Sequence, residues 1–126
     1  EVTKNHVKLK PLEVISPDFN TVRDYFTQLD FSPQASRYFH QLASTARVMA
    51  GGRYCSIQSE SAAQLRYQSS TEQWSTLYQA QYREAVFGQL PQVEQGQTPI
   101  ETYSRGLKVN IWVERQLLMV SVEEAP

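Results

Sequence analysis

Cysteine, histidine and lysine are all scarce in this chain of 126 residues, and the first two scarcities exclude whole classes of site. The single cysteine, Cys55, excludes an internal disulfide framework and any zinc site built from several cysteines. A nucleophilic thiol needs a nearby base, yet the two histidines, His6 and His40, lie in no motif that pairs either with Cys55. We therefore predict that Cys55 is a packing residue, that the chain has no catalytic residues, and that it is not an enzyme.

Ligand sets for metals and phosphates are also missing. The two histidines and the cysteine are too far apart along the chain to form a recognisable zinc set. The three aspartates are spaced six residues apart instead of forming the dense run of a calcium loop: Asp18, Asp24 and Asp30. The pair Gly51-Gly52 is followed by Arg-Tyr-Cys-Ser, not by the Lys-Ser/Thr of a phosphate loop. We predict no metal site and no cofactor.

The chain also has no large excess of positive or negative charge and no long run of apolar residues. The net charge is −1, from 12 basic and 13 acidic residues, which is not the basic excess typical of nucleic-acid binding. No run of about 18 apolar residues is present, so the sequence predicts no membrane span. The chain begins at Glu1 without an initiator methionine or a signal peptide, and we expect it to belong to a longer protein.

Two Ser-Pro pairs predict helix starts. Ser16-Pro17 precedes apolar residues at spacings of three and four, which predict a helix over residues 17–29 with Ser16 as its N-cap. Ser32-Pro33 precedes a weaker pattern, which predicts a second helix over residues 33–44. Residues 1–15 are predicted to be a tail with a short extended piece near residues 12–15.

From residue 47 onward the apolar period changes to two, which is the period of half-buried strands. Five strands are predicted, over residues 47–57, 63–67, 74–82, 107–113 and 117–122. Gly51-Gly52 predicts a bulge or bend in the first strand, and residues 114–116 predict a tight hairpin connection. Residues 89–98 are predicted to be a loop and residues 123–126 a tail. The sequence thus predicts an α+β fold, with one or two N-terminal helices packed on a meandering antiparallel sheet of about five strands, in one domain over residues 16–122.

The last predicted hairpin carries apolar side chains on both faces. Trp112, Leu117 and Met119 share one face, while valines and Ile111 share the other. One interpretation is a central strand covered on both sides, and the other is a face open to a partner. Trp112, Leu117 and Met119 are therefore a possible interaction surface, for a helix or for a second copy in a homodimer. An unpaired sheet edge is a second place where a partner could add a strand.

Four short patterns occur in a fixed order along the predicted strands. They are Gly51-Gly52-Arg53; Ala62-Ala63 with Leu65 and Tyr67; Thr76-Leu77-Tyr78; and Gly106-Leu107 with Trp112, Leu118 and Val122. In these residues, over about residues 47–122, the chain resembles the extracytoplasmic domain of membrane-anchored anti-sigma factors, a family of transmembrane transcriptional regulators.

The resemblance implies a non-catalytic sensory domain on the periplasmic side of the bacterial inner membrane, which regulates sigma-factor release and transcription. The whole protein would carry a cytoplasmic sigma-binding domain and one membrane span, with residues 1–15 linking the span to this domain. Its partners would be a regulatory protease or a sensor protein, and the sigma factor through the cytoplasmic part. It would contact the membrane only through the anchor and would not bind nucleic acid. The alternative is a binding or structural module of another bacterial envelope complex.

Overall fold

The structure is a computed structural model that describes residues 10–42 and 46–125. In this part of the chain, seven strands form one antiparallel sheet in the order β1-β2-β3-β4-β7-β6-β5. The strands are β1 (Val14–Ile15), β2 (Arg47–Ile57), β3 (Glu60–Ser69), β4 (Trp74–Gln81), β5 (Ile100–Ser104), β6 (Leu107–Glu114) and β7 (Leu117–Glu124). The helices are α1 (Phe19–Tyr25), α2 (Arg37–Leu42) and the single turn α3 (Glu84–Phe87), with a 3₁₀ turn at Val93–Gln95. None of the helices in this part of the chain is long and apolar enough to cross a membrane.

Helices together with an antiparallel sheet fit the predicted α+β class, but the sheet has seven strands and not five. All five predicted strands are present. The sequence missed β5 because its residues show no buried alternation and are almost all exposed. The predicted C-terminal tail is wrong for residues 123 and 124, since β7 continues to Glu124. The extended piece expected near residues 12–15 is β1.

Both predicted helices are shorter than the sequence indicates. α1 begins at Phe19 because Asp18, and not Ser16, is its N-cap: the Asp18 carboxylate accepts the Thr21 N–H at 3.0 Å. It ends at Tyr25 and does not continue to residue 29. α2 begins at Arg37, where the Ser36 hydroxyl accepts the Phe39 N–H at 3.0 Å in the manner of a cap. The predicted end of this helix, at residue 44, lies outside the described residues.

The predicted irregularity at Gly51-Gly52 is confirmed, because the register of β2 against β3 shifts between Met49 and Gly51. Gly51 has a φ of 152°, and a Cβ at this position would overlap the carbonyl oxygen of Val14 in β1. A Cβ on Gly52 would lie 3.1 Å from the side chains of both Val22 and Phe26 in α1. The two glycines therefore let β1 and α1 approach β2 closely.

The register places buried side chains on both faces of the sheet. The face that packs with α1 and α2, here called the helix face, contributes to a cluster of Val22, Phe26, Phe39, Met49, Ala63, Leu65, Tyr67, Leu77, Trp112, Leu117 and Met119. The opposite face, here called the far face, carries a second cluster of Ile57, Ala62, Tyr78, Ala80, Leu107, Val109, Leu118, Val120 and Val122. Residues 62–67 of β3 are consequently all buried, although polar and apolar residues alternate there.

The predicted tight connection after β6 is confirmed as a two-residue turn at Arg115-Gln116, with φ values of 52° and 65°. Two consecutive positive φ angles are typical of a type I′ turn, in which glycine avoids the steric cost of the second position. We expect Gln116→Gly to raise the free energy of unfolding by about 0.5–1 kcal/mol. Urea denaturation measures this change. The control Gln89→Gly, at an exposed position without a positive φ, should not stabilise the protein.

Candidate interaction surfaces

The sheet separates Cys55 from the one histidine that the structure describes. Cys55 is half-buried on β2 and packs against the far-face cluster. His40 lies on α2, and its ring is 5.9 Å from that of Tyr67 on the helix face. Burial, and then the nearby Arg47 guanidinium, lower the pKa of His40. His6 lies outside the described residues, so the structure brings no histidine to Cys55 within the part of the chain that it covers.

The three aspartates serve as local partners and do not converge. Asp18 caps α1, Asp30 lies 2.7 Å from Arg83, and Asp24 lies 3.5 Å from Arg23. Across residues 10–42 and 46–125, no group of three or more histidine, cysteine, aspartate or glutamate side chains could hold a metal ion.

Trp112, Leu117 and Met119 share one face, as the sequence indicates, but that face lies inside the protein. Their exposed fractions are 0%, 4% and 0%. The Tyr38 ring of α2 lies 5.2 Å from the Trp112 ring, and Val93 of the 3₁₀ turn packs against the same cluster. The possible interaction surface must therefore be corrected, because helices of the same chain cover these three residues and make them interior.

A buried carboxylate fixes α2 above this face. Glu114, with 4% of its surface exposed, accepts three hydrogen bonds. Its Oε1 accepts the Ser36 hydroxyl at 2.6 Å and the Trp112 Nε1–H at 3.0 Å, and its Oε2 accepts the Arg37 N–H at 3.0 Å. Sequence reasoning assigned Glu114 to a connection and missed this role. The available signal was its spacing of two from Trp112, which places both on one face of a strand.

A buried amide holds the segment that leads into α2. Gln79 of β4 is 0% exposed, and its side chain makes two hydrogen bonds to the backbone of Gln34. Its Oε1 accepts the Gln34 N–H at 2.8 Å, and its Nε2 donates to the Gln34 carbonyl at 2.7 Å. Together, Gln79 and Glu114 bind three polar backbone groups of Gln34 and Arg37, which hold this segment on the sheet. This explains why residues 33–36 dock on the sheet as non-helical chain.

We expect Glu114→Gln to lower the free energy of unfolding by about 1–3 kcal/mol. The amide keeps the size of the side chain, but its NH₂ group would face either the Arg37 N–H or the two donors at Oε1. Urea denaturation followed by circular dichroism measures the loss. The matched control is Glu94→Gln, whose exposed carboxylate accepts the Arg115 N–H at 2.8 Å. A loss no larger than that of the control would contradict the role of Glu114.

The far face carries an exposed apolar patch at one end, here called the far-face patch and made of Ile15, Val48 and Trp74. Their exposed fractions are 80%, 61% and 36%. Register puts them on the same face of β1, β2 and β4, with Gln68 of β3 between Val48 and Trp74, because Val48 pairs with Gln68 and Gln68 pairs with Trp74, while Ile15 pairs with Gly51. The far-face patch thus consists of three large exposed apolar side chains that lie on one face of the sheet.

Two arginines lie beside the far-face patch. Arg66 is 7% exposed and donates to the Gln64 Oε1 at 2.9 Å and to the Lys10 carbonyl. Arg53 donates to the Pro11 carbonyl at 2.7 Å, with its guanidinium 3.8 Å from the Glu13 carboxylate. Burial lowers the pKa of Arg66. Both guanidinium groups are thus engaged within the chain, Arg66 by hydrogen bonds and Arg53 by a hydrogen bond and an ion pair.

The two edges of the sheet differ. At one edge, β1 covers only Gly51 and Gly52, and the Glu13 carboxylate accepts the neighbouring Tyr54 N–H at 2.8 Å. At the other edge, β5 runs along the surface with Ile100 at 42% and Tyr103 at 57% exposed. Within the described chain, no strand lies beyond β5.

Two buried tyrosines make the free energy of unfolding depend on pH in the alkaline range. Burial raises the pKa of Tyr67 on the helix face and of Tyr78 on the far face well above the usual value. The folded state therefore keeps both hydroxyls protonated at a pH where the unfolded chain loses these protons. We expect the free energy of unfolding to be unaffected by these groups below pH 10 and to fall above it by about 1.4 kcal/mol per pH unit for each tyrosine. Urea denaturation at several alkaline pH values measures this slope. Tyr67→Phe should reduce it by the contribution of one tyrosine.

Comparison with protein-family models, with curated proteins and with solved structures finds no match to this chain.

Proposed function

We propose that this chain is a non-catalytic extracytoplasmic sensory and protein-interaction domain of a transmembrane anti-sigma factor. The observation that carries the proposal is where the resembling patterns lie in the sheet. Their residues fall on β2, β3, β4, β6 and β7, with Gly106 in the turn before β6. These five strands are contiguous in the sheet, in the order β2-β3-β4-β7-β6. The resemblance thus covers one structural framework instead of scattered segments.

The exposed features of the domain suit contact with another protein. The far-face patch offers apolar side chains beside Arg53 and Arg66, and β5 offers an open strand edge. On this proposal the domain lies on the periplasmic side of the bacterial inner membrane, and a regulatory protease or a sensor protein binds it. That contact controls release of the sigma factor from the cytoplasmic part of the same protein, and hence transcription.

The coding sequence upstream of Glu1 tests the proposal directly. A single membrane span shortly before Glu1, preceded by a cytoplasmic helical domain with histidine and cysteine residues, is the expected result. A plain signal peptide in its place would contradict the proposal. That outcome would favour the alternative, a binding or structural module of another envelope complex.

Transcript levels test the regulatory role in the native organism. Deleting the gene should raise the transcripts of one sigma-dependent promoter class, and the wild-type gene should restore the low level. Trp74→Glu in the full-length protein should impair the response to envelope stress, because it puts a charge on the far-face patch. The matched control is Val86→Glu on α3, since Val86 is also 36% exposed. An unchanged transcript profile in the deletion strain would contradict the proposal.

A further inference from the structure

We propose that β5 pairs antiparallel with β5 of a second copy of this chain, so that two sheets join into one across a two-fold axis. β5 is the outer strand of the sheet, and its residues Ile100, Glu101, Thr102 and Tyr103 are exposed. The inference concerns this edge alone and holds whether or not the protein regulates a sigma factor.

The hairpin geometry shows which backbone groups of β5 point outward. The turn at Arg105-Gly106 has φ values of 53° and 76°, which makes Ser104 and Leu107 the closing pair of a two-residue type I′ hairpin. That closing pair is hydrogen-bonded, and hydrogen-bonded pairs alternate along an antiparallel ladder. Thr102 therefore bonds to β6, while Glu101 and Tyr103 direct their N–H and C=O groups away from the sheet. Two outward donors and two outward acceptors are thus available along this edge.

This set of outward groups matches itself under two-fold symmetry. If Thr102 lies on the axis, opposite Thr102 of the second copy, Glu101 lies opposite Tyr103 in both directions. Each Glu101–Tyr103 pair then exchanges two backbone hydrogen bonds, four in all, and Thr102 forms the close non-hydrogen-bonded pair. The symmetric register uses every outward group of Glu101 and Tyr103.

The side chains are also compatible with a second copy. In this register no charge faces a like charge, because Glu101 faces a tyrosine and Thr102 faces a threonine, a favourable cross-strand pair. Within one chain the Glu101 carboxylate already accepts the Tyr103 hydroxyl at 3.0 Å, and Lys108 lies 3.6 Å from Glu101. The same polar groups can meet across the axis, with each Glu101 balanced by its own lysine.

β5 lacks three of the devices that can protect an edge strand, although it is short and carries the charged Glu101. It contains no proline and no lysine, and its register with β6 runs from Ile100 to Ser104 without a bulge. At the opposite edge, the two-residue β1 and the Glu13 carboxylate cover the middle of β2. A five-residue edge buries less area than the roughly 1,000 Å² of stable interfaces, so we expect a weak, concentration-dependent dimer.

Disulfide mapping tests the register. In a Cys55→Ser background, Thr102→Cys places two thiols opposite each other, where the Cα atoms of a non-hydrogen-bonded pair are about 4.5 Å apart. The matched control, Glu101→Cys, puts the two thiol-bearing residues about 8 Å apart, beyond disulfide reach. On mild oxidation of the concentrated protein we expect the Thr102→Cys chain to form disulfide dimers at least ten times faster than the control. Equal rates would overturn the proposed register.

Sedimentation velocity tests the association itself. The wild-type chain should sediment faster as its concentration rises, and Thr102→Lys should weaken the association at least tenfold by placing two lysines opposite each other. Thr71→Lys, in the exposed turn between β3 and β4, should leave it unchanged. A wild-type chain that stays monomeric at about 1 mM, a concentration at which weak contacts are populated, would overturn the proposal. That result would favour pairing of β5 with a strand of a different protein instead.

Discussion

Replacing Trp112 with alanine is expected to lower the free energy of unfolding by about 3–5 kcal/mol, the largest single effect among the variants considered. The indole is fully buried, lies 5.2 Å from the Tyr38 ring and donates its N–H to the Glu114 carboxylate. Truncation would leave a cavity under α2 and remove one of the three donors to that carboxylate. Because Trp112 is interior, the loss should appear as unfolding and not as a weakened partner surface.

Urea denaturation followed by far-ultraviolet circular dichroism measures this loss without relying on tryptophan fluorescence. Trp112→Phe is the matched control, since it keeps an aromatic ring and removes only the N–H and part of the volume. We expect it to cost about 1–2 kcal/mol. If Trp112→Ala cost less than about 1 kcal/mol, the packing of α2 on the helix face would be contradicted.

Replacing Gly51 with alanine is expected to lower the free energy of unfolding by about 2–4 kcal/mol. Two effects add at this position. The φ of 152° is unfavourable for any residue with a Cβ, and the Cβ itself would overlap the Val14 carbonyl oxygen. Backbone cannot move aside as a flexible side chain can, so β1 must leave the edge of β2. The Glu13 N–H, which donates to the Gly52 carbonyl at 2.9 Å, should lose its protection from hydrogen exchange.

Gly106→Ala separates the two effects. Gly106 also has a positive φ, of 76°, but a Cβ there would have no atom within 4 Å. We expect it to cost only about 1 kcal/mol, the price of the left-handed conformation alone. Equal losses for the two variants would show that contact with β1 contributes nothing to the requirement for glycine at position 51.

The local sequence pattern predicted the secondary structure correctly where apolar alternation reflects real burial and where few backbone conformations are possible. The strands β2, β3, β4, β6 and β7 carry alternating apolar residues, and all five were predicted. The bulge at Gly51-Gly52 and the turn after Glu114 were predicted too, because glycine pairs and short polar connections have few structural alternatives. β5 was missed because an exposed edge strand buries no face and so leaves no periodic signal in its residues.

The burial and partners of the candidate site residues depend on contacts between distant parts of the chain, which a local sequence pattern does not reveal. Trp112, Leu117 and Met119 were correctly assigned to one face, but only the packing of α2 showed that the chain itself covers that face. The partners of Glu114 at Ser36 and Arg37 are 78 and 77 positions away along the chain. A carboxylate beside a turn is usually solvated, and only this long-range docking makes it a buried acceptor.

The sequence by itself therefore determined the framework: the strands with a buried face, the bend at the two glycines, and the scarcity of groups for metal or thiol chemistry. The tertiary structure alone decided which surfaces remain accessible. It buried the face of Trp112, exposed Ile15, Val48 and Trp74, and left β5 at an open edge. The physical reason is that apolar periodicity records only that a side chain is suited to burial, whereas its cover is set by elements distant in the chain.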